Sequence, residues 1–210
     1  MTDTSNRNRG RFISLEGGEG VGKSTNLAFI EAWLSKQGKR VLTTREPGGT
    51  GVGEKIRALF LADEALTPIT ELLLMFAARA EHIERVILPA LDAGVWVVSD
   101  RFCDASYAYQ GGGRGIAVEF ITLLEQQVLQ GLQPDLTLLL DAPVEIGMAR
   151  ARKRQTMDRL ESESRLFFEN VRAAYLQRAA LSQGRIRIID ATPPLEAVQQ
   201  QIAAALKQII

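Results

Sequence analysis

The amino-acid sequence predicts an α/β fold in which a five-stranded parallel sheet is flanked by helices. Two observations support this prediction. Short segments rich in β-branched residues alternate with longer helical patterns, and residues 17–24 (GGEGVGKS), directly after the first such segment, match a phosphate-binding loop. Alternation of this kind is typical of a parallel sheet covered on both faces. The length of 210 residues fits a single domain, and 46% hydrophobic residues are ample for its core.

The predicted elements follow in order along the chain. Strands are predicted at residues 12–16, 41–44, 95–99, 136–140 and 185–189. Helices are predicted at residues 25–36, 52–61, 71–93 with a kink at Pro89, 118–131, 143–154, 164–182 and 195–210, and a glycine-rich loop at 102–115. Because ligands bind at the carboxyl ends of parallel strands, the loops after the first four strands should converge on one crevice. Those loops contain Lys23, Arg45, Glu46, Asp100, Arg101 and Asp141.

The phosphate-binding loop has the pattern G-x-x-x-x-G-K-[ST]. Gly17 and Gly22 let the backbone curl so that its N–H groups face a phosphate, and the start of the following helix adds partial positive charge. Lys23 can reach the outer phosphates, and the Ser24 hydroxyl can bind Mg²⁺. The alternative is a glycine-rich turn with an incidental lysine. The strand before the motif and the helix after it favour a nucleoside triphosphate site.

Composition excludes several classes of protein. Lys and Arg number 25, as do Asp and Glu, which argues against a chain held on nucleic acid by bulk charge. No apolar segment is long enough to cross a bilayer. A single cysteine, Cys103, and a polar start without a signal segment predict a cytoplasmic location. Residues 1–10 are expected to form a disordered polar tail, which leaves residues 11–210 as one domain.

Asp100 and Arg101 follow the third predicted strand. An acid at this place resembles the Mg²⁺-side carboxylate of phosphate-loop enzymes, and the alternative is a solvated strand-end aspartate. An adjacent guanidinium suits a second, accepting phosphate, which it can bind through two parallel hydrogen bonds.

The variable positions of the phosphate-binding loop contain no basic residue and one acid, Glu19. Glu19 either faces solvent or accepts a hydrogen bond from a hydroxyl of the second substrate. Charge that develops on the transferred group must then be neutralised from elsewhere, and the cationic segment with Arg150, Arg152 and Arg154 is the obvious source. On spacing alone, a solvated basic helix face is an equal alternative.

Phe76 and Arg79 share one helix face, where an aromatic ring and a guanidinium could hold a base. From the sequence pattern alone, a core position for Phe76 is favoured. His82 is interpreted as an exposed helix residue without a role. Cys103 is either a small buried hydrophobe or an exposed thiol near the site.

Together these segments resemble the bacterial thymidylate kinases over nearly the whole chain beyond the tail. The matching stretches are FISLEGGEGVGKST, TREPGGT, ELLLMFAARAEHI, VVSDRFCDASYAYQGGGRG, PDLTLLLDAPVEIGMARARKR and DRLESES. The resemblance implies the phosphate-loop fold of nucleoside monophosphate kinases, with an arginine-rich lid at about residues 147–161. It also implies transfer of the ATP γ-phosphate to dTMP with Mg²⁺, and a homodimer.

The resemblance also implies roles for individual residues. ATP would be bound by Gly17, Gly18, Glu19, Gly20, Val21, Gly22, Lys23, Ser24, Thr25 and Arg150. dTMP would be bound by Glu19, Arg45, Glu46, Pro47, Arg57, Phe76, Arg79, Arg101, Ser106, Tyr109 and Gln110. Catalysis would depend on Lys23, Asp100, Arg101, Arg152 and Arg154, and Mg²⁺ on Ser24 and Asp100. Ala80 departs from the family, which has a second arginine there, and this puts one peripheral contact in doubt.

Two rival classes share the phosphate-binding loop. A nucleotide switch of the GTPase type also needs a guanine-reading NKxD segment and a DxxG turn, and this sequence has neither. A kinase for nucleosides or another monophosphate would share the fold. Tyr109 together with Arg101 favours a deoxynucleoside monophosphate as acceptor.

Overall fold

The computed structural model describes residues 9–62, 65–152 and 163–210. Its five strands are β1 Phe12–Glu16, β2 Val41–Arg45, β3 Trp96–Asp100, β4 Leu136–Asp141 and β5 Ile186–Asp190. Every adjacent pair is parallel, and the strand order is β2-β3-β1-β4-β5. The predicted five-stranded parallel sheet is therefore confirmed, and no predicted strand bound is displaced by more than one residue.

Helices cover both faces of this sheet. In the described part of the chain the α-helices are α1 Lys23–Lys36, α2 Gly51–Leu61, α3 Pro68–His82, α4 Leu88–Asp92, α5 Cys103–Ser106, α6 Val118–Leu129, α7 Val144–Arg152, α8 Arg165–Leu181 and α9 Leu195–Leu206. Successive side chains of a strand point to opposite faces. Ile13 and Leu15 of β1 accordingly pack with α1 and α9, whereas Phe12 packs with α3 and α6 on the other face.

The strand register brings the polar residues at the strand ends to one edge of the sheet. Asp100 pairs with Arg45 on one side and with Leu15 on the other, and Asp141 pairs with Asp190. Because all five strands run in the same direction, the segments after β1, β2, β3 and β4 leave the sheet at this edge. The prediction that these segments converge at one edge of the sheet is therefore confirmed.

The segment predicted as a loop at residues 102–115 is helical, so this prediction is wrong. It consists of α5 and the π-helical segment Tyr107–Gly113. Its glycines permit close helix packing rather than a turn. A Cβ on Gly112 would lie 2.7 Å from that of Ala174, and one on Gly113 would lie 2.4 Å from the Phe167 ring, both on α8. A run of glycines predicts a loop from local pattern alone, but it can equally form a helix against which another helix packs closely.

The helix predicted at residues 71–93 is divided at its centre. Its α3 part begins after Thr67, whose hydroxyl accepts a hydrogen bond from the Thr70 amide. A π-helical turn, Ile83–Ile87, then leads into α4 just before Pro89. Proline removes one helical N–H donor and crowds the preceding turn, so the irregularity lies on the N-terminal side of the proline.

Part of the predicted tail and most of the predicted lid lie outside the described residues. These parts are residues 1–8 and residues 153–161, which include Arg154. Gly10, within the predicted tail, is buried, and its amide donates to the Leu91 carbonyl oxygen at 2.8 Å. Among the described residues, none of the helices combines the length and the apolar character that a bilayer span requires.

Candidate active site

One pocket opens at the carboxyl edge of the sheet, between the phosphate-binding loop, the segment after β2 and the π-helical segment. The predicted site residues that line it are Glu19, Gly20, Gly22, Lys23, Ser24, Arg45, Glu46, Pro47, Arg57, Asp100, Arg101, Tyr109 and Gln110. Both groups of predicted residues, those for the phosphate donor and those for the acceptor, thus face a single space. The structure adds an apolar part of the wall that sequence analysis missed, formed by Phe60, Leu61, Met75 and Ala105.

Glycine backbone conformations shape the phosphate-binding loop. Gly17 has φ +136° and Gly20 has φ +69°, both in the range that side chains disfavour. A Cβ on Gly20 would lie 1.9 Å from the Gly147 carbonyl oxygen, and a Cβ on Gly147 would lie 2.4 Å from the Glu19 carbonyl oxygen. Helix α7 therefore packs directly on the phosphate-binding loop, so the helix that leads into the predicted lid contacts the backbone of that loop.

Lys23 is the first residue of α1, and its amino group folds back over the loop. Nζ donates to the Gly18 carbonyl oxygen at 2.7 Å and to that of Gly17 at 3.1 Å. Burial lowers the pKa of Lys23, and the neighbouring Arg101 charge lowers it further, while Glu19 and Asp100 oppose this. These contacts hold the amino group at the mouth of the loop, where a phosphate can replace the two carbonyl oxygens.

Arg101 is the centre of a network of polar side chains. Its φ is 70°, in the left-handed region, and the Leu15 carbonyl oxygen binds its amide at 3.0 Å. Nη2 donates to Glu19 Oε1 at 2.5 Å, and the guanidinium lies 4.6 Å from the centre of the Tyr109 ring. A strained backbone held by surrounding contacts is common at functional sites, because it aims a side chain that an ordinary conformation would direct elsewhere.

Glu19 is mostly buried and binds Arg101 and Tyr109 rather than pointing into solvent. Burial raises the pKa of its carboxyl, but Arg101, Lys23 and the Tyr109 hydroxyl outweigh burial and lower the pKa to about 2. The side chain is therefore ionised near neutral pH and accepts hydrogen bonds only. Of the two possibilities left by the sequence, this arrangement favours a Glu19 that accepts from donors in the pocket.

Glu16 is a buried acid beneath the site that sequence analysis missed. Its Oε2 accepts from the Tyr175 hydroxyl and its Oε1 from the Phe102 amide, both at 2.7 Å. Burial and the Asp104 carboxylate raise the pKa of Glu16 to about 8. The Tyr175 hydroxyl also accepts a 3.5 Å hydrogen bond from Arg101. Glu16 therefore joins α8 to the turn that carries Arg101, and an acid at the end of a mostly apolar strand is the sequence signal for it.

The two acids that end β3 and β4 have different surroundings. Asp141 is bound by Arg172 through two hydrogen bonds of 2.7 and 2.8 Å. Asp100 lines the pocket together with Ser24, and its buried Oδ1 has no hydrogen-bond partner among the described residues. A carboxylate and a hydroxyl are suitable ligands for Mg²⁺. No cluster of three or more His, Cys, Asp or Glu suited to a metal occurs in the described ranges.

Phe76, Arg79 and Ser106 lie beneath the pocket and do not line it in this structure. The Arg79 guanidinium is completely buried and donates to Glu46, Ser106 Oγ and the Phe102 carbonyl oxygen at 2.7, 3.1 and 3.1 Å. It also lies 4.7 Å from the centre of the Phe76 ring. These residues support the floor of the site, and Glu46 connects that floor to the pocket wall.

The interpretation of His82 as an exposed residue is wrong. Its side chain is fully buried, with Nδ1 3.0 Å from Glu46 Oε1 and Nε2 2.7 Å from Thr44 Oγ1. Cys103 is buried as well, and burial raises the pKa of its thiol well above the ordinary value, so the first of its two interpretations holds. Both residues lie on helix faces that pack toward the sheet, and a single polar residue among apolar ones does not reveal that packing.

The remaining basic residues are separated in space. Arg45 binds Glu54 at 2.9 Å at the pocket rim, and Arg57 donates to the Pro47 carbonyl oxygen at 3.2 Å. Arg150 donates to the carbonyl oxygens of Ala191 and Thr192, after β5. Arg152 is exposed at the end of α7, and Arg154 lies outside the described residues. The other predicted ATP-binding residues belong to the phosphate-binding loop and the first turn of α1, and they are Gly17, Gly18, Val21 and Thr25.

Comparison with known proteins yields one consistent family. Residues 15–202 match the family model described as thymidylate kinase. The chain is 52% identical to the thymidylate kinase of Alcanivorax borkumensis over 202 residues, which cover 95% of this chain and 97% of that protein. It is 57% identical to the thymidylate kinase of Pseudomonas putida strain W619, with coverages of 95% and 97%. The crystal structure of thymidylate kinase from Ehrlichia chaffeensis superposes with a TM-score of 0.78 at 30% identity, covering 95% of this chain and 99% of that one.

Proposed function

The chain belongs to the thymidylate kinase family of nucleoside monophosphate kinases, and we propose that its pocket transfers the γ-phosphate of ATP to dTMP, giving dTDP and ADP. One observation carries the proposal: Lys23 and Ser24 of the phosphate-binding loop line the same pocket as Arg101, Tyr109 and Gln110. A donor and an acceptor phosphate placed in that pocket would face each other with no protein element between them.

The acceptor needs little chemical activation. The nucleophile is a phosphate oxygen of dTMP, which is already anionic because the second proton of a phosphomonoester dissociates at about pH 6. No general base is required, and none of the described residues that line the pocket is a histidine. The protein contributes positioning and charge neutralisation, which account for most of the catalysis in phosphoryl transfer.

Lys23 and Arg101 would exchange their present partners for phosphate. Lys23 leaves the Gly17 and Gly18 carbonyl oxygens and binds the β- and γ-phosphates of ATP, while Arg101 turns from Glu19 toward the phosphate of dTMP. Glu19 is then available to accept from the sugar hydroxyl of the acceptor, and Tyr109 lies beside that sugar. Each exchange replaces one charge-assisted hydrogen bond with another.

Mg²⁺ would be held by Ser24 and Asp100. Oδ1 of Asp100, which has no hydrogen-bond partner within the described ranges, and the position of Ser24 at the same pocket support this assignment. When bound, the ion neutralises phosphate charge and orients the phosphate oxygens for transfer. Arg152 and Arg154 would supply further positive charge from a lid at about residues 147–161. Residues 11–210 would act as one domain after a polar tail of residues 1–10.

The assembly and location are inferred from resemblance to the family. We propose a homodimer and a cytoplasmic enzyme with ATP and dTMP as its small-molecule partners. Neither nucleic acid nor a membrane is part of this proposal, which is consistent with the balanced charge of the chain.

An acceptor panel tests the proposed reaction. Release of ADP is measured with ATP and Mg²⁺ and with dTMP, dUMP, dCMP, dAMP, dGMP or thymidine as acceptor. dTMP should have the highest kcat/KM, and thymidine should be inactive because it lacks the phosphate nucleophile. Equal or faster turnover of a nucleoside or a purine monophosphate would refute the proposal.

Asp100→Asn tests the metal assignment, with Asp141→Asn as the matched control. Both variants neutralise an acid at a strand end, but only Asp100 has an unpartnered oxygen, whereas Asp141 is bound by Arg172. Asp100→Asn should require a higher Mg²⁺ concentration for half-maximal activity. Asp141→Asn should leave that concentration unchanged and lower the midpoint of thermal unfolding instead. Equal Mg²⁺ dependence in both variants and the wild type would remove Asp100 from the metal site.

A further inference from the structure

Gln110 lines the pocket, and one half of its amide has no hydrogen-bond partner among the described residues. Its side chain is 4% exposed and lies on the π-helical segment Tyr107–Gly113, whose residue Tyr109 also lines the pocket. Nε2 donates to Glu71 Oε1 at 2.8 Å. Oε1 is buried and has no hydrogen-bond partner among the described residues. One N–H of the amide is thus taken by Glu71, and Oε1 is the acceptor of this amide that remains for a ligand.

The charge of Glu71 determines which end of the Gln110 amide faces Glu71 and which end faces away from it. The two ends of an amide have nearly the same shape, so its orientation follows from its hydrogen-bond partners. A carboxylate accepts hydrogen bonds and donates none, and it therefore selects the NH₂ end of Gln110. The side chain of Glu71 is 1% exposed, so the stability of its anion depends on its partners.

Arg114 provides the charge that stabilises the Glu71 anion. Its Nε and Nη2 donate to the two oxygens of Glu71 at 3.4 and 3.3 Å. Arg114 also binds Glu163 at 2.7 Å, and its guanidinium lies 4.7 Å from the centre of the Phe167 ring. Neither Arg114 nor Glu71 lines the pocket, so a cation, an anion and an amide form one chain of contacts that reaches the pocket at Gln110.

We propose that Glu71 is a positioning residue for base specificity: it orients the Gln110 amide so that the pocket offers a hydrogen-bond acceptor to the base. This inference rests on the proposed function, in which Gln110 contacts the acceptor base. Thymine and uracil have a ring N3–H that donates to such an oxygen. Cytosine has a lone pair at N3, so two acceptors would face each other and one buried oxygen would stay unpaired. The arrangement selects bases with an N–H donor at N3.

The test measures kcat/KM for dTMP and for dCMP in Glu71→Gln and in Glu71→Asp. In Glu71→Gln the new amide can offer either its oxygen or its nitrogen, so the Gln110 amide is free to reverse and to donate to cytosine. The ratio of kcat/KM for dTMP to that for dCMP should fall roughly tenfold or more. Glu71→Asp remains an acceptor only and should retain the ratio, even where its activity is lower.

A double variant shows whether Glu71 acts through Gln110. Gln110→Leu removes the amide and should itself lower the ratio, and adding Glu71→Gln to it should cause no further decrease. If Glu71→Gln alone does not fold by circular dichroism, Glu71→Gln with Arg114→Gln is measured, since this pair removes the Glu71–Arg114 ion pair as a whole and leaves Glu163, which is 28% exposed, without its Arg114 partner. It should show the same lowered ratio.

The outcomes separate this inference from the proposed function. A wild type without a preference for dTMP over dCMP contradicts the proposed function and the inference together. A wild type that prefers dTMP, combined with an unchanged ratio in the folded Glu71→Gln variants, overturns the inference alone. Equal losses of activity on both acceptors would mean that Glu71 only stabilises the fold.

Discussion

The Tyr109 hydroxyl donates a 2.7 Å hydrogen bond to Glu19 Oε1, the same oxygen that Arg101 binds. The two residues are far apart in sequence, one in the phosphate-binding loop and the other on the π-helical segment after β3. The contact holds the Tyr109 ring over the Arg101 guanidinium at the pocket wall. A ring held in this way is a rigid surface against which an acceptor sugar can be selected.

Tyr109→Ala should weaken discrimination against ribonucleotides. A 2′-hydroxyl that fits badly must displace the ring or be buried unpaired, and mismatches of this kind change kcat/KM by roughly 10–200-fold. The measurement is the ratio of kcat/KM for dTMP to that for its ribose analogue. Tyr109→Phe keeps the ring but loses the bond to Glu19, and it should retain most of the wild-type ratio. If Tyr109→Ala has the wild-type ratio and an intact circular dichroism spectrum, discrimination resides elsewhere, with Glu19 the next candidate.

Lys23→Ala should leave a folded protein whose activity is lower by roughly a hundredfold or more, since a charge that stabilises the transition state is lost. Lys36, exposed in the last turn of the same helix, offers a matched control. Lys36→Ala should retain wild-type kcat and KM. Steady-state ADP release and the thermal unfolding midpoint are measured for both variants. Near-normal turnover of Lys23→Ala would contradict the assignment of a phosphate-binding role to the loop.

Arg154→Ala should lower kcat far more than it raises the KM for dTMP. The phosphate-binding loop contains Glu19 and no arginine, so charge on the transferred group must be neutralised from the predicted lid, in contacts that strengthen in the transition state. Arg152→Ala is measured in parallel, because spacing does not decide which of the two dominates. Arg150, which binds the carbonyl oxygens of Ala191 and Thr192, is the comparison, and Arg150→Ala should mainly raise the KM for ATP. A change confined to the KM for dTMP in Arg154→Ala would assign that arginine to acceptor binding.

Glu16→Gln should reduce the pH dependence of stability. Burial and the Asp104 carboxylate raise the folded-state pKa of Glu16 from 4.5 to about 8. Between those values the folded state keeps a proton that the unfolded chain has lost. The contribution of protonated Glu16 to the free energy of unfolding is therefore complete below the pKa of the unfolded chain. It is lost as the pH rises through the folded-state pKa, and the free energy of unfolding falls by at most about 1.4 kcal/mol per pH unit. Glutamine does not ionise, so the variant lacks this decline.

Urea unfolding of the wild type and Glu16→Gln between about pH 5 and pH 8 measures this difference. The free energy of unfolding of the wild type should decrease relative to that of the variant as the pH rises. Glu119→Gln, on the exposed face of α6, controls for the removal of one carboxyl and should follow the wild type. Curves for Glu16→Gln and the wild type that stay parallel would show that Glu16 is ionised in the folded state throughout this range.

Local pattern was sufficient for the sheet and for the phosphate-binding loop. Each strand is a short segment rich in β-branched or other apolar residues and bounded by turn residues, and the parallel arrangement brings Arg45, Asp100 and Asp141 to one edge without any knowledge of individual contacts. The loop is equally local, since the conformations of Gly17 and Gly20 and the start of α1 lie within one short stretch. The family resemblance then indicated which reaction this fold and this loop would serve.

Contacts between distant segments could not be predicted from local pattern. Glu16 and Tyr175 are 159 residues apart, and the hydrogen bond between them exists only because α8 packs against the end of β1. The same packing of α8 turned a glycine-rich segment into the helical wall that carries Tyr109 and Gln110. A polar residue such as His82 is exposed or buried according to what covers its helix face, and one sequence does not record that.

The sequence by itself therefore determined the class of fold and the phosphate-binding loop, because these depend on short-range periodicity and backbone conformation. The family resemblance supplied the set of residues that could serve the reaction. Only the tertiary structure decided how those residues are paired. It placed Asp100 at the pocket with an oxygen that none of the described residues binds, while Asp141 is bound to Arg172, and it joined Glu71 to Gln110 across 39 residues. Hydrogen bonds and ion pairs act over a few ångströms, so which residues share them depends on how helices pack on the sheet.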